Sequence, residues 1–304
     1  MGNTLIDFSN ELAGIVQKLS PFVVSVGARR RYPSSGLLWG PNVIVTAAHT
    51  VQQEEDISVT TADGREIKAT LAGRDPGTEI AVLKAEIPAP SGAAPVRTQR
   101  ANAGELALVV GRSPNSGANA SLGIISAVSG AWKTWRGGEL DSYIRLDTRL
   151  FPQSSGGAVV NARGEIIGIA TSALSRIAGL AIPLATLERV TAQLLERGFV
   201  PRGYLGIGVQ SVPLPDELAK KLSVSNKGGL MILTVEPGSP ADKAGLLIGD
   251  IVIALGDVRA EQIENLQTYT GSGLIGKAVK VQVIRGGSLH ESSLTVGERP
   301  GRRS

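Results

Sequence analysis

The chain contains no cysteine, which excludes disulfides, thiolate metal sites and a cysteine nucleophile. Histidine is nearly as scarce: there are two, His49 and His290, and a pair so distant in sequence argues against a zinc site. No cofactor is expected. No run of about twenty apolar residues is present that could span a membrane. The N-terminus lacks the basic start and long apolar core of a secretory signal, so the expectation is either a cytoplasmic protein or an export segment lying outside this sequence. Charge is close to balanced, with a formal net charge of +4. The basic residues are scattered except at Arg29-Arg30-Arg31 and Arg299-Pro300-Gly301-Arg302-Arg303, runs that read as solvated loop and tail rather than as a nucleic-acid surface.

What is present points to β structure. A length of 304 residues suits about two domains, and 38 glycines with 16 prolines suit short strands joined by turns better than long helices. Leu5, Phe8, Leu12, Ile15, Val16 and Leu19 recur at helical spacing from Thr4 to Leu19, where Ser20-Pro21 ends the pattern. From Phe22 to about Ile182 the chain is a series of short apolar runs separated by turn signals such as Ala62-Asp63-Gly64 and Asp75-Pro76-Gly77. Many strands with few helices imply a sandwich or barrel. A second helix is expected from about Leu184 to Arg197, stopped by Gly198, and Phe199-Val200-Pro201-Arg202-Gly203 forms a boundary. Beyond it lies one small α+β domain, with strands near 205–210, 230–235, 250–255 and 278–285 and short helices near 240–245 and 260–269. The expected divisions are a helical segment over 1–21, a first domain over 22–199, a second over 200–297 and a disordered tail over 298–304.

Two sites carry chemistry. His49 closes the run Val43-Ile44-Val45-Thr46-Ala47-Ala48, and Ser155 is followed by Gly156 and Gly157, glycines that let backbone crowd around a nucleophile. A histidine, an intermediate acid and a serine, in that order, are the parts of a chymotrypsin-type triad. A serine hydroxyl near neutral pH is a poor nucleophile, so it needs a base in hydrogen-bond reach and a third group to fix that base's tautomer. A decoy sits later: Gly271-Ser272-Gly273-Leu274-Ile275-Gly276-Lys277 matches most of a phosphate-binding loop. That loop needs a strand before it and a helix after it. Here the order is reversed, so the glycines read as a turn.

From Ser20 to Val296 the chain resembles the HtrA (DegP-like) serine proteases, a chymotrypsin-type double β-barrel followed by one or more PDZ domains. The residues that carry the resemblance are Leu19-Ser20-Pro21-Phe22-Val23-Val24-Ser25-Val26, Thr46-Ala47-Ala48-His49, Gly73-Arg74-Asp75-Pro76-Gly77-Thr78-Glu79-Ile80-Ala81-Val82-Leu83-Lys84 and Ser155-Gly156-Gly157-Ala158. In the second domain they are Gly203-Tyr204-Leu205-Gly206-Ile207, Glu236-Pro237-Gly238-Ser239-Pro240-Ala241 and Gly249-Asp250-Ile251-Val252. The resemblance implies His49 as general base and Ser155 as nucleophile. The family's catalytic aspartate is replaced by Glu79, which carries the same charge and can accept from the imidazole; Asp75 could substitute if its loop folded back. The resemblance also implies that the amides of Gln153 and Ser155 hold the oxyanion, although the family has glycine where Gln153 stands. Leu150 and Leu180 are expected to line a pocket for small aliphatic side chains.

In the second domain, the resemblance implies that Tyr204, Leu205, Gly206 and Ile207 form the loop and strand that take a peptide C-terminus, faced by Ile263 and Leu266. The resemblance implies endoproteolysis of unfolded polypeptide in a homo-oligomer, a trimer or multiple of one, assembled through the N-terminal part of the first domain; the apolar face of Leu5, Phe8 and Leu12 suits either that contact or docking on its own barrel. By the same resemblance the location is extracytoplasmic. A protease-fold scaffold, inactive because of Glu79 and Gln153, is the competing expectation.

Overall fold

The computed structural model of the chain describes residues 4–90, 92–267 and 274–299. The chain divides into two compact units, 1–200 and 201–304. In the first, α1 (Thr4–Leu19) leads through a 3₁₀ turn into β1 (Val23–Gly27), β2 (Ser34–Gly40), β3 (Val43–Ala47), β4 (Ile57–Thr60), β5 (Glu66–Asp75) and β6 (Ile80–Lys84). These close into a barrel in the order β1-β2-β3-β6-β5-β4. β7 (Leu106–Ser113) and β8 (Gly117–Ser129) follow, then a small hairpin of β9 (Trp132–Lys133) and β10 (Glu139–Leu140), then β11 (Tyr143–Asp147), β12 (Ala158–Asn161), β13 (Ile166–Thr171) and β14 (Gly179–Pro183). A second barrel closes as β11-β14-β13-β12-β7-β8. This is the double β-barrel that the resemblance implied.

The apolar runs are continuous because these strands are buried on both faces. In β3, Ile44 fills the first barrel with Val24, Val26, Val59 and Leu83, whereas Val45 joins a layer shared by both barrels. β6 alternates likewise: Ala81 and Leu83 face the barrel interior, and Ile80 and Val82 the shared layer. From the second barrel, Val110, Ala158, Val160, Leu180 and Ile182 enter the same layer, and Val159 and Ala181 turn inward. Burying each of the valine, leucine and isoleucine side chains contributes roughly 1.5–3 kcal/mol. α2 (Leu184–Arg197) lays Leu187, Val190 and Leu194 on that layer. It ends at Gly198, whose left-handed φ of 78° lets its N–H reach Leu194 O.

α1 is divided in its packing. Leu12, Ile15, Val16 and Leu19 lie on the shared core, but Leu5, Ile6 and Phe8 remain exposed. Arg112 of β7 locks this entry segment: its buried guanidinium donates to Val23 O at 2.6 Å, Ser20 O at 2.8 Å and Ser20 Oγ at 2.7 Å. Arg29 corrects the reading of its triplet as solvated loop, since it donates to the carbonyls of Tyr32, Pro33 and Pro152.

The second unit pairs β15 (Gly203–Tyr204) with β22 (Gly297–Glu298). Its main sheet contains β16 (Ile207–Pro213), β17 (Gly228–Val235), β18 (Ile251–Leu255), β19 (Val258–Arg259), β20 (Ala278–Arg285) and β21 (Ser288–Thr295). The order is β16-β17-β18-β20-β21, with β19 on β18, so β16 is an edge strand. α3 (Asp216–Lys221), α4 (Pro240–Lys243) and α5 (Ile263–Gln267) complete it. Leu218 and Leu222, at and just after α3, cover Ile253 and Ile284 on one sheet face, while Leu205, Ile232, Val252, Val281 and Leu266 pack on the other. The reading of 298–304 as a disordered tail is corrected at its start: Glu298 pairs with Gly203 and Arg299 N donates to Arg202 O. The glycines 271–273 of the decoy loop lie outside the described residues. Leu274–Lys277 form a turn, closed by Lys277 N on Leu274 O.

Asp250 is buried at 1% exposure and is gripped by Arg285 through Nε at 2.8 Å and Nη2 at 2.7 Å. Leu247 N donates to it as well. Burial alone would raise its pKa, but these donors outweigh burial and hold it below the ordinary carboxylate value. A depressed folded-state pKa stabilises above the unfolded value, and the contribution is lost as pH falls through the folded one. Hydrogen exchange at β18 and β20 is therefore expected to accelerate as pH drops below about 4, after correction for intrinsic rates. Asp250→Asn should exchange faster at neutral pH and lose that acid dependence. In the first unit, Arg112→Met should lower unfolding stability by about 3 kcal/mol in urea denaturation, because a buried charged donor with several acceptors is removed.

Candidate active site

β3 ends at Ala47, and the chain turns through Ala48–Thr50, presenting His49. Thr50 Oγ1 donates to Ala47 O at 2.7 Å and Ala48 N to Glu79 O at 3.0 Å, which fixes this turn against the start of β6. Glu79 itself leaves the β5–β6 turn with a φ of 67°, a left-handed conformation uncommon outside glycine. Its side chain is fully buried. Oε1 accepts the His49 backbone N–H at 2.8 Å and lies 2.5 Å from His49 Nδ1. With Nδ1–H donating to a carboxylate, Nε2 carries the lone pair, the tautomer a general base requires.

Asp75 is otherwise engaged. Its carboxylate accepts from Gly77 N at 3.3 Å, Thr78 N at 2.9 Å and Thr78 Oγ1 at 2.7 Å, capping the turn that delivers Glu79. Of the two candidate acids, Glu79 is the one in contact with the imidazole. The second oxygen of Glu79, Oε2, is buried without a hydrogen bond and lies 3.7 Å from Arg136 Nη1.

Ser155 follows the 3₁₀ turn Pro152–Ser154. Ser155 O accepts from Ser35 N at 3.0 Å, and Gly156 N donates to Ala170 O at 2.8 Å. Gly156 has a φ of 84°, and a Cβ built there would sit 2.1 Å from Ser35 O and 2.4 Å from Thr46 Oγ1. Only glycine lets the Ser155 loop press on β2 and on the end of β3, the strand that leads into the His49 turn. The Ser155 hydroxyl is hydrogen-bonded to Ser172 Oγ at 3.4 Å rather than to His49. Gln153 lies in the 3₁₀ turn without a left-handed φ. The carbonyls beside it are clasped: Pro152 O by Arg29 Nη2 at 2.8 Å and Gln153 O by Ser35 Oγ at 2.6 Å. The Ser155 N–H has no backbone partner among the described residues.

The expected pocket is half changed. Leu150 is partly buried against the second barrel's interior cluster, but Leu180 points into the layer between the barrels. The residue of β14 beneath Leu150 is Gly179, where a Cβ would meet Leu150 Cδ1 at 2.5 Å. Alternation explains the difference, since neighbouring strand residues face opposite ways.

In the second unit, Tyr204 ends β15 and donates to Glu236. Leu205 O and Gly206 O accept from Ala241 N and Glu236 N. Gly206 has a φ of 80°. The N–H groups of Leu205 and Gly206 have no backbone partner among the described residues. Ile207 then opens the edge strand β16, and α5 lies against that strand. Ile263 is exposed, and Leu266 belongs to the core. Arg29, Ser35, Ser172 and Arg136 were absent from the sequence-based candidates. No local motif marks them, because each acts across a distance in sequence.

Residues 34–169 match the family model of a trypsin-like peptidase domain, and residues 203–296 match that of a PDZ domain. A probable periplasmic serine endoprotease, DegP-like, of Halomonas elongata is 30% identical over 299 residues, covering 96% of this chain and 62% of the relative. A probable periplasmic serine protease do/HhoA-like of Haemophilus influenzae is 31% identical over 256 residues, covering 82% and 54%. The chain thus spans between about half and three-fifths of the length of these curated relatives. The solved structure of the HtrA-type protease AlgW with a decapeptide is similar at a TM-score of 0.72 and 26% identity, covering 95% of this chain and 98% of that one. With a trypsin-like peptidase domain, a PDZ domain and relatives alike along nearly its whole length, the chain belongs to the HtrA (DegP-like) serine protease family.

Proposed function

We propose that the chain is a serine endopeptidase that hydrolyses peptide bonds through an acyl-enzyme. The observation that carries this reading is the double contact of Glu79 Oε1 with the backbone and ring of His49, beside a nucleophile loop pressed against the same strand end. In this mechanism the Ser155 Oγ–H proton passes to His49 Nε2 as Oγ bonds to the substrate carbonyl carbon. The carbonyl oxygen becomes an oxyanion held by the N–H groups of Gln153 and Ser155. The C–N bond then breaks, and His49 returns the proton to the leaving amine. Water repeats the sequence on the ester and regenerates the hydroxyl. Glu79 orients the ring and stabilises the imidazolium.

The Ser155–Ser172 hydrogen bond supports a resting arrangement, from which the hydroxyl rotates toward His49 when substrate enters. The same bond is the one feature that favours the competing scaffold reading. The substrates in this proposal are unfolded or exposed polypeptides with a small aliphatic residue before the cleaved bond, seated near Leu150. The edge strand β16 and the N–H groups of Leu205 and Gly206, which have no backbone partner among the described residues, suit an added peptide strand with a C-terminal carboxylate. The exposed Leu5, Ile6 and Phe8 of α1 suit an oligomer contact. The relatives named periplasmic support an extracytoplasmic location in this proposal.

A fluorophosphonate probe with mass spectrometry, run beside casein degradation, tests the reading. Modification is expected at Ser155 and absent in Ser155→Ala. Glu79→Gln should lower turnover by about 10³- to 10⁴-fold, as loss of the correct tautomer does in such triads, and Asp75→Asn by far less. Absence of both labelling and casein cleavage would favour the scaffold, and the opposite ranking of the two carboxylates would move the acid to Asp75.

A further inference from the structure

Glu79 is the carboxylate that binds both the backbone and the ring of His49, yet half of it is unexplained. Oε1 serves the His49 turn, whereas Oε2 is buried and makes no hydrogen bond. A buried carboxylate oxygen without a donor is unfavourable unless a compensating charge lies near. That charge is Arg136, with Nη1 3.7 Å from Oε2.

The approach is built into the fold. Arg136 sits at the tip of the β9–β10 hairpin, where Thr134 N donates to Gly138 O and Gly137 N to Thr134 O. Thr134 is buried, and its Oγ1 donates to Gly77 O at 2.7 Å. Gly138 packs so closely on Gly77 that a Cβ would lie 2.1 Å from Gly77 C. The hairpin tip is therefore fastened to the same β5–β6 turn that delivers Glu79. On its other side the Arg136 guanidinium lies 4.5 Å from the ring centroid of Trp135, which restrains it. Trp132 meets Tyr143 edge-on at the base, and Leu140 is buried in the shared core.

We propose that Arg136 is a positioning residue for the triad. It holds the second oxygen of Glu79 so that the first faces Nδ1. A carboxylate has two oxygens and can face two partners at once, here the imidazole N–H and the guanidinium. The longer glutamate side chain lets Oε2 reach the hairpin while Oε1 still meets the imidazole. The inference rests on the proposed role of Glu79 as the acid of the triad.

The test uses the full chain and saturation kinetics of fluorophosphonate labelling at Ser155, in which Oγ bonds to phosphorus and fluoride leaves, so that the maximal phosphonylation rate is separated from probe binding. Arg136→Met should lower the maximal rate about tenfold, with apparent binding changed less than about twofold. Arg136→Lys, which restores the charge, should recover most of the loss, and Arg136→Gln should not. In a Glu79→Gln background, Arg136→Met should change nothing further, because the carboxylate it acts on is gone. Circular dichroism melts check each variant for folding, and Arg136→Gln serves if Arg136→Met fails to fold. An unchanged rate in Arg136→Met, equal loss in the Lys and Met variants, or the same tenfold loss in both backgrounds would overturn the proposal. A Glu79→Gln enzyme phosphonylated at the wild-type rate would instead overturn the triad on which the proposal rests.

Discussion

The arrangement depends on one carboxylate reaching two groups of a neighbouring turn. Glu79 Oε1 takes both the N–H and the ring Nδ1 of His49, so the imidazole is fixed in position by the backbone contact and in tautomer by the side-chain contact. Everything around it serves that clasp. Asp75 caps the turn, Ala48 N donates back to Glu79 O, and the left-handed φ of Glu79 lets the chain reverse into β6 with the carboxylate turned toward the imidazole. Because the contact is buried, its electrostatic strength is less screened than a surface pair would be.

Two barrels hold this contact against the Ser155 loop because their strands are apolar on both faces. One set of side chains fills each barrel, and the other makes a single layer in which Val45, Val82, Val110, Val160 and Ile182 meet. The closed barrels also leave no unpaired edge in this unit's two large sheets. The crossing from one barrel to the other is then completed by polar ties, with Arg112 on Val23 O and Ser20 and Ser35 on Gln153 O. Apolar burial supplies the driving force. The hydrogen bonds fix which residues face one another.

Much of this was legible in the sequence because the signals were local. The helix Thr4–Leu19 has a 3.6-residue pattern and a Ser-Pro stop, and α2 has its glycine cap. Asp75-Pro76-Gly77-Thr78 reads as a turn, so Glu79 falls at the head of a strand. What sequence missed was either weakly patterned or non-local. β21 buries little besides Leu294, so it carries almost no alternation. α3 was passed over although Pro215 and two acids open it and two lysines close it; it is short, and its apolar contacts are few. Leu180 was misplaced by one step of strand alternation, with Gly179 taking the position beneath Leu150. Arg29 was hidden in a basic run because nothing near it reveals that it binds the carbonyl of Pro152.

That last contact bears on how a family member can work without glycine at position 153. The carbonyl of Pro152 and the N–H of Gln153 belong to one planar peptide, so a donor that fixes the carbonyl also fixes where the N–H points. Arg29 grips that carbonyl, and Ser35 grips the next one. A glycine there could turn freely, whereas Gln153 is confined to ordinary dihedrals, and the two clasps narrow the choice further. Ser35 links this loop to β7 as well, since its Oγ accepts from Arg112 N at 2.9 Å. The orientation of the proposed oxyanion donor is thus set by β2, by the segment after β1 and by β7 together. The loss of glycine's freedom at one residue is met by fixing that residue's peptides from outside, and the Ser155 loop becomes a part of both barrels.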